Sequence, residues 1–198
     1  MEKAYVFIKK IPDMIPKDLL YPKERQEEID IVTNTRVKGE KYWSWKLLEY
    51  GAETVIGKSL CDCRFEKHPC GKWICSDFCF SISHSGGYCG VIISDTGCGL
   101  DLEVEKNLPS ALSHKILTEN ELSEFKGITN QEEQSLYLLT KWTQKEAIFK
   151  SLEKEALLPS SIETDDYVTE TMRIAPDNTP IMISVFVKGN PDLNISFL

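Results

Sequence analysis

Three short segments carry side chains able to do polar chemistry. In Gly99-Leu100-Asp101-Leu102-Glu103 the two acids are separated by one residue. A strand turns successive side chains to opposite faces, so Asp101 and Glu103 share one face and the two leucines the other. Two carboxylates on one face repel unless a cation sits between them. Mg²⁺ suits that place, because it takes one or two carboxylates together with substrate phosphates. The same alternation also marks the solvated side of a half-buried strand, which is the reading given to Glu105. In Trp142-Thr143-Gln144-Lys145-Glu146-Ala147-Ile148-Phe149-Lys150, residues 142, 146 and 150 recur at helical spacing and stack along one face. A carboxylate and an ammonium one turn apart can act as base and phosphate clamp, or form an ordinary surface ion pair. In Phe80-Ser81-Ile82-Ser83-His84-Ser85-Gly86-Gly87, hydroxyls, an imidazole and free backbone N–H groups can cradle phosphate. A polar hairpin turn would use the same residues. A Ser-His hydrolase would need a G-x-S-x-G elbow, and the chain has none.

The elements that must position these groups follow from local signals. Ala4–Ile8 predicts a strand, and Arg36–Tyr50 a helix stopped by Gly51 despite the internal Gly39. Residues 51–77 look loop-rich, with turn signals at His68-Pro69 and Cys70-Gly71. Three strands follow, Phe78–Ser83, Tyr88–Ser94 and Gly99–Val104. Thr118-Glu119-Asn120-Glu121 fits a capping box opening a short helix. The longest helix runs from Gln131 to about Leu152, with Pro159 beyond it. Thr169–Ile174, Ile181–Val187 and Leu193–Phe197 read as closing strands. Each half offers a helix and strands, so the expected class is α+β.

The 198 residues, 41% hydrophobic and 27% charged, suit one globular domain or two small lobes sharing a core. The net charge of −8 is uneven: residues 1–100 hold 14 basic and 14 acidic side chains, residues 101–198 hold 9 and 17. An acidic chain without a basic block excludes general nucleic-acid binding, which must neutralise many phosphates. No apolar run is long enough for a membrane span, and the start reads as no secretory signal, so a cytoplasmic protein is expected. The seven cysteines fall between positions 61 and 98, and an odd number without an export signal favours free thiols. Cys61-x-Cys63 is a loose spacing for zinc.

Together, and in this order, FSISHS, CGLDLE and WTQKEAIFK resemble the three motifs of the Sfp-type 4′-phosphopantetheinyl transferases. The resemblance runs from about Gly71 to Lys150, and more loosely back to Arg36. It implies a monomeric pseudo-dimer of two similar α+β lobes, residues 1–98 and 99–198, with the active site between them. The implied reaction moves the phosphopantetheine arm of coenzyme A to a serine of an apo acyl or peptidyl carrier protein, releasing 3′,5′-ADP. Position by position, it implies Asp101, Glu103 and Glu146 as Mg²⁺ ligands, with Glu146 also as general base and Lys150 at the diphosphate. It implies Ser83, His84 and Lys72 at the coenzyme A phosphates, with Trp73 where the family has proline. For the adenine end the basic candidates are Lys23, Arg25, Arg36 and Lys41, and Arg36 is the one assigned. The rival readings are a non-catalytic relative that binds coenzyme A or carrier proteins, a zinc-stabilised module built on Cys61–Cys79, and a Mg²⁺-dependent phosphatase or nuclease. The chemistry is expected near residue 100, where the charge balance changes.

Overall fold

The computed structural model describes residues 3–69, 71–152, 156–189 and 191–198. Cys70, part of an expected turn and of the cysteine group, lies outside the described residues. The elements are β1 (Lys3–Lys10), α1 (Lys23–Asp30), α2 (Thr35–Ile56), β2 (Phe65–Lys67), β3 (Trp73–Cys75), β4 (Cys79–Ser85), β5 (Tyr88–Ser94) and β6 (Cys98–Val104). Then come α3 (Ser113–Ile116), α4 (Glu119–Gly127), α5 (Gln131–Ser151), β7 (Thr169–Ile174), β8 (Ile181–Val187) and β9 (Asp192–Phe197). Among the described residues no helix is long and apolar enough to cross a membrane.

The class is α+β, and the two halves repeat one plan. In the first, strand β1 is followed by α2 and then by β4 and β5, which pair in the order β4-β5-β1. In the second, β6 is followed by α5 and then by β7 and β8, in the order β7-β8-β6. The pairings within these two sets are antiparallel. Strand β9 departs from the repeat, returning to pair parallel with β1 on the outer edge of the first sheet.

Alternation along the strands builds the layers. On β1, Phe7 packs with Trp45 and Leu48 of α2, whereas Ala4, Val6 and Ile8 face Leu100, Leu102, Ile183 and Val185 of the second sheet. The two sheets therefore meet across an apolar layer, with α2 outside one and α5 outside the other. Helix α2 does not stop at Gly51 as expected; it runs on to Ile56 and ends at Gly57, whose φ is +70°. Gly51 stays helical because it is a crossing point. A Cβ there would stand 2.8 Å from Ile93 Cδ1 and 3.0 Å from Phe7 Cδ2. The residues expected as loop also hold the short β2–β3 hairpin.

Gly99 does the same for the second lobe, where a Cβ would fall 1.8 Å from the Ala147 carbonyl oxygen of α5. Backbone cannot yield as a side-chain tip can, so Gly99→Ala is expected to cost about 3 kcal/mol, the upper part of the overpacking range. The midpoint of urea unfolding checks it, and an unchanged midpoint would mean that α5 does not press on β6.

Candidate active site at the seam between the lobes

The two sheets are joined at their edges by side chains. Ser81, Ser83 and Ser85 of β4 accept hydrogen bonds from the backbone N–H groups of Leu100, Leu102 and Val104 on β6, at 3.2, 3.3 and 3.3 Å. Three serines at strand period thus replace a backbone ladder, which satisfies the exposed N–H groups of an edge strand. Because β6 alternates, Leu100 and Leu102 enter the core while Asp101 and Glu103 face away from it, as expected.

A cleft of about 470 Å³ opens along this seam, and Lys72, Ser83, His84, Asp101, Glu103, Trp142, Glu146 and Lys150 all line it. The α5 face carrying Trp142, Glu146 and Lys150 therefore looks into the cleft. Lys145 points the other way and is fully buried, donating to Glu121 and to the carbonyls of Ile116 and Pro159 at 2.9 and 3.1 Å. It ties α5 to the α4 capping box, in which Thr118 and Glu121 bond reciprocally as expected.

The polar groups at the seam are tightly linked. Lys150 Nζ donates to Asp101 Oδ1 at 2.7 Å and to Ser83 Oγ at 3.2 Å, and Ser83 Oγ itself donates to Asp101 Oδ1 at 2.8 Å. Glu103 accepts from Ser85 Oγ at 2.7 Å and Lys106 Nζ at 3.0 Å. Asp101 is 4% exposed, and its Oδ2 is buried with no hydrogen-bond partner. Burial pushes the Asp101 carboxyl up; Lys150 and Ser83 oppose the shift and Glu103 adds to it. Burial also raises the Glu146 carboxyl; Lys150 opposes this, while Asp101 and Glu103 reinforce it. Asp101, buried with an orphaned carboxylate oxygen, and the half-buried Glu103 and Glu146 line the same cleft, and oxygen donors of this kind suit a hard divalent cation. Asp101, Glu103 and Glu146 are the residues that could hold one.

Lys72 reaches the same place from the other lobe. Its Nζ donates to the backbone oxygen of Lys150 at 2.5 Å, in the last turn of α5, where helix carbonyls lack partners and the dipole end is negative. Trp73 anchors that hairpin, its ring 5.8 Å from Trp45 and its Nε1 donating to Glu28 at 3.0 Å. His84 Nδ1 lies 3.6 Å from Glu40 Oε2. Burial lowers the imidazole below its ordinary value despite Glu40, with Lys150 and Lys41 adding to the effect.

Of the four basic candidates for one end of the cleft, Arg36 does not line it. It stands 74% exposed, paired with Glu40 at 3.0 Å, beside a separate depression with Ile11 and Ile15. Lys23 is 84% exposed and paired with Glu27. Arg25 and Lys41 are the two that line the cleft. Arg25 stacks 4.8 Å over the Trp45 ring and pairs with Glu28 at 3.2 Å, and its Nε is buried without a hydrogen-bond partner. Its helix, KERQEEID, has one apolar residue, the buried Ile29, so no apolar period announced it. The cis Tyr21-Pro22 bond just before it could not be read from sequence either. Arg25 and Lys41 themselves stood among the sequence candidates; the cleft-lining Ser44 and Trp45 did not, and nothing in their spacing marked them.

The second lobe and the return strand carry a family signature. A family model described as the 4′-phosphopantetheinyl transferase superfamily matches residues 97–195, half of the chain. The chain belongs to that superfamily. The matched span starts just before β6 and includes the carboxylates of the seam and the whole of α5. Among solved structures, the chain is similar to the holo-[acyl-carrier-protein] synthase of Thermotoga maritima, at 18% identity and a TM-score of 0.34. That similarity covers 47% of this chain and 64% of the other, so the chain spans less than two thirds of that synthase. A comparison with curated proteins finds no match.

Proposed function

We propose that this superfamily member transfers the 4′-phosphopantetheine arm of coenzyme A to a serine of an apo acyl or peptidyl carrier protein, with Mg²⁺, releasing 3′,5′-ADP. One observation carries the reading: three carboxylates from the second lobe meet Lys72, Ser83 and His84 from the first in a single cleft. Both lobes repeat one β-α-β-β order within one polypeptide, which favours the Sfp type and a monomer. On this reading the lobes divide at the start of β6, whose first residue is Cys98, close to the expected division between 98 and 99, and β9 returns to the first sheet.

Coenzyme A carries about −4 near neutral pH, from its diphosphate and 3′-phosphate. Asp101, Glu103 and Glu146 would hold Mg²⁺, which supplies charge neutralisation at the diphosphate oxygens. Lys150 and Lys72 supply the cations that the protein itself contributes. Lys150 is poised by Asp101 and Ser83, and Lys72 by the end of α5. His84 and Ser83 offer donors to the phosphates. Glu146, a half-buried carboxylate with raised proton affinity, takes the proton from the carrier serine. The serine oxygen then bonds to the pantetheine-bearing phosphorus as the bond to the 3′,5′-ADP oxygen breaks. Such transfers depend on positioning and charge stabilisation more than on covalent help from the protein.

The deciding experiment is mass spectrometry of a panel of apo carriers incubated with the chain, coenzyme A and Mg²⁺. One phosphopantetheine added per carrier is expected. Binding of coenzyme A or carrier without that mass gain would overturn the reading in favour of a non-catalytic binder.

Arg25 and Lys41, rather than Arg36, then face the 3′-phosphate and adenine end. Losing a hydrogen bond to a charged group costs about 1.5–3 kcal/mol. Arg25→Ala should therefore weaken coenzyme A binding roughly tenfold or more, and Arg36→Ala should leave it nearly unchanged. Isothermal titration of both variants checks this, and equal losses would reject the assignment.

A further inference from the structure

Outside the cleft, one cluster of ligating atoms has no role in the transfer. The sulfurs of Cys63 and Cys75 and a carboxylate oxygen of Asp77 all lie within 4.8 Å of one another. Among the described residues no other set of three His, Cys, Asp or Glu side chains gathers its ligand atoms so closely. They sit at the base of the β2–β3 hairpin. Cys63 comes just before it, Cys75 closes β3, and Asp77 follows by two residues.

We infer that Cys63, Cys75 and Asp77 form a structural zinc site that staples the base of this hairpin. Two thiolates and a carboxylate are a soft-leaning donor set that selects zinc over magnesium, and such sets bind tetrahedrally. Charge closes around the ion. Two thiolates and Asp77 supply −3, and a divalent metal with Lys58 supplies +3, the Lys58 ammonium lying 2.7 Å from Asp77 Oδ1. Outer hydrogen bonds that aim ligands are already in place. The Asp77 N–H donates to Cys75 Sγ at 3.4 Å, and the Arg64 N–H donates to Asp77 Oδ2 at 3.2 Å. The three ligands grade from buried Cys63 through half-buried Cys75 to exposed Asp77, which leaves an entry path and the fourth corner on the solvent side.

Such a clip would reinforce the hairpin beyond the packing of Phe65 and Trp73 on the core. Its ladder has only three residue pairs, Phe65–Cys75, Glu66–Ile74 and Lys67–Trp73, and a two-stranded ribbon is marginal by itself. It also carries Lys72 and Trp73 to the cleft wall. The spacing of Cys63, Cys75 and Asp77 matches no zinc motif with paired C-x-x-C, so only the fold brings them together.

Co²⁺ is the probe, added to the full chain purified under reducing conditions. One Co²⁺ per chain is expected, with a thiolate charge-transfer band in the near ultraviolet and the visible bands of tetrahedral cobalt, both lost when zinc is added. Cys75→Ser and Asp77→Ala should each weaken binding by at least the roughly 10–100-fold that loss of an outer-shell partner costs. Cys61→Ser, which alters a residue outside the trio, should keep the band. Zinc should raise the melting temperature of the native chain and not that of Cys75→Ser. The inference is overturned by absence of the thiolate band at equimolar cobalt, by its persistence in Cys75→Ser, or by a Cys63–Cys75 disulfide in the protein as isolated. None of these readouts depends on carrier loading, so this site and the transferase reading stand or fall separately.

Discussion

Replacing Glu146 with glutamine is expected to slow carrier loading by about 10²–10⁴-fold, the usual contribution of a positioned general base. The substitution keeps size and leaves α5 in place, so the folded state should survive, as circular dichroism would show. Glu146 has two proposed duties, and metal concentration separates them. If the loss is only of a ligand, raising Mg²⁺ restores the rate. If the proton transfer is lost, it does not, and that second result is the one expected. The pH dependence gives an independent check. Burial beside Asp101 and Glu103 holds the Glu146 carboxyl above its ordinary value of 4.5, even against Lys150. The wild-type rate should fall as acid protonates Glu146, because the protonated acid cannot accept the serine proton, and bound Mg²⁺ would move that limb below its metal-free position. Glutamine removes this limb. A variant that loads carrier at the full rate would end the assignment of Glu146 as base.

The second large effect is on stability and lies three bonds of chain away from the chemistry, at the neighbouring Lys145. This side chain is fully buried, and Glu121 is 2% exposed. Its ammonium spends all three donors, on Glu121 and two backbone carbonyls. Removing one partner of a buried pair typically costs about 3–5 kcal/mol, and Lys141, 3.5 Å from Glu121 Oε1, keeps a second cation beside the carboxylate and puts the loss at the lower end. Lys145→Met should lower the melting temperature by about 10 °C, given about 2–4 °C per kcal/mol for a chain of this size. Adding Glu121→Gln should recover part of it, since the buried carboxylate left with Lys141 as its remaining cation is then gone. The double variant should still load carrier, because neither residue faces the cleft. The pair also fixes an acid limit. Burial raises Glu121, but bonds from Lys145, the Thr118 N–H and Thr164 outweigh this and hold its carboxyl below 4.5. A depressed carboxyl adds stability that is complete above 4.5 and lost as pH falls through its folded value. Acid unfolding of the wild type should carry this signature, and the double variant should show less of it.

Strand parity and helical spacing place most of the cleft-lining polar face. Asp101 and Glu103 fall on the side of β6 that the alternation gave them, and Trp142, Glu146 and Lys150 line one wall together. Both signals are local, so the sequence carries them openly. What it hid depends on contacts between distant elements. Gly51 looks like a helix stop in one dimension, and only the nearness of Ile93 and Phe7 explains why it stays helical. Lys145 and Glu146 look equivalent in a motif, yet their successive directions on α5 send one into the core and the other into the cleft. The helix that carries Arg25 was hidden because its single apolar residue, Ile29, makes no period. The serines of β4 read as a phosphate cradle; that they also bond the edge of β6 needs the lobes side by side.

The return of β9 to β1 has a consequence for the order of synthesis. Strands β1, β4 and β5 are all made by Ser94, yet the outer edge of β1 pairs with residues 192–197. While the whole second lobe emerges, β1 presents a row of unpaired N–H and C=O groups, a template on which another nascent chain can add a strand. A product ending between Val187 and Asp192 would keep every residue of the cleft and still carry that adhesive edge. How much of the protein a cell keeps dispersed therefore depends on a strand that lines no part of the cleft.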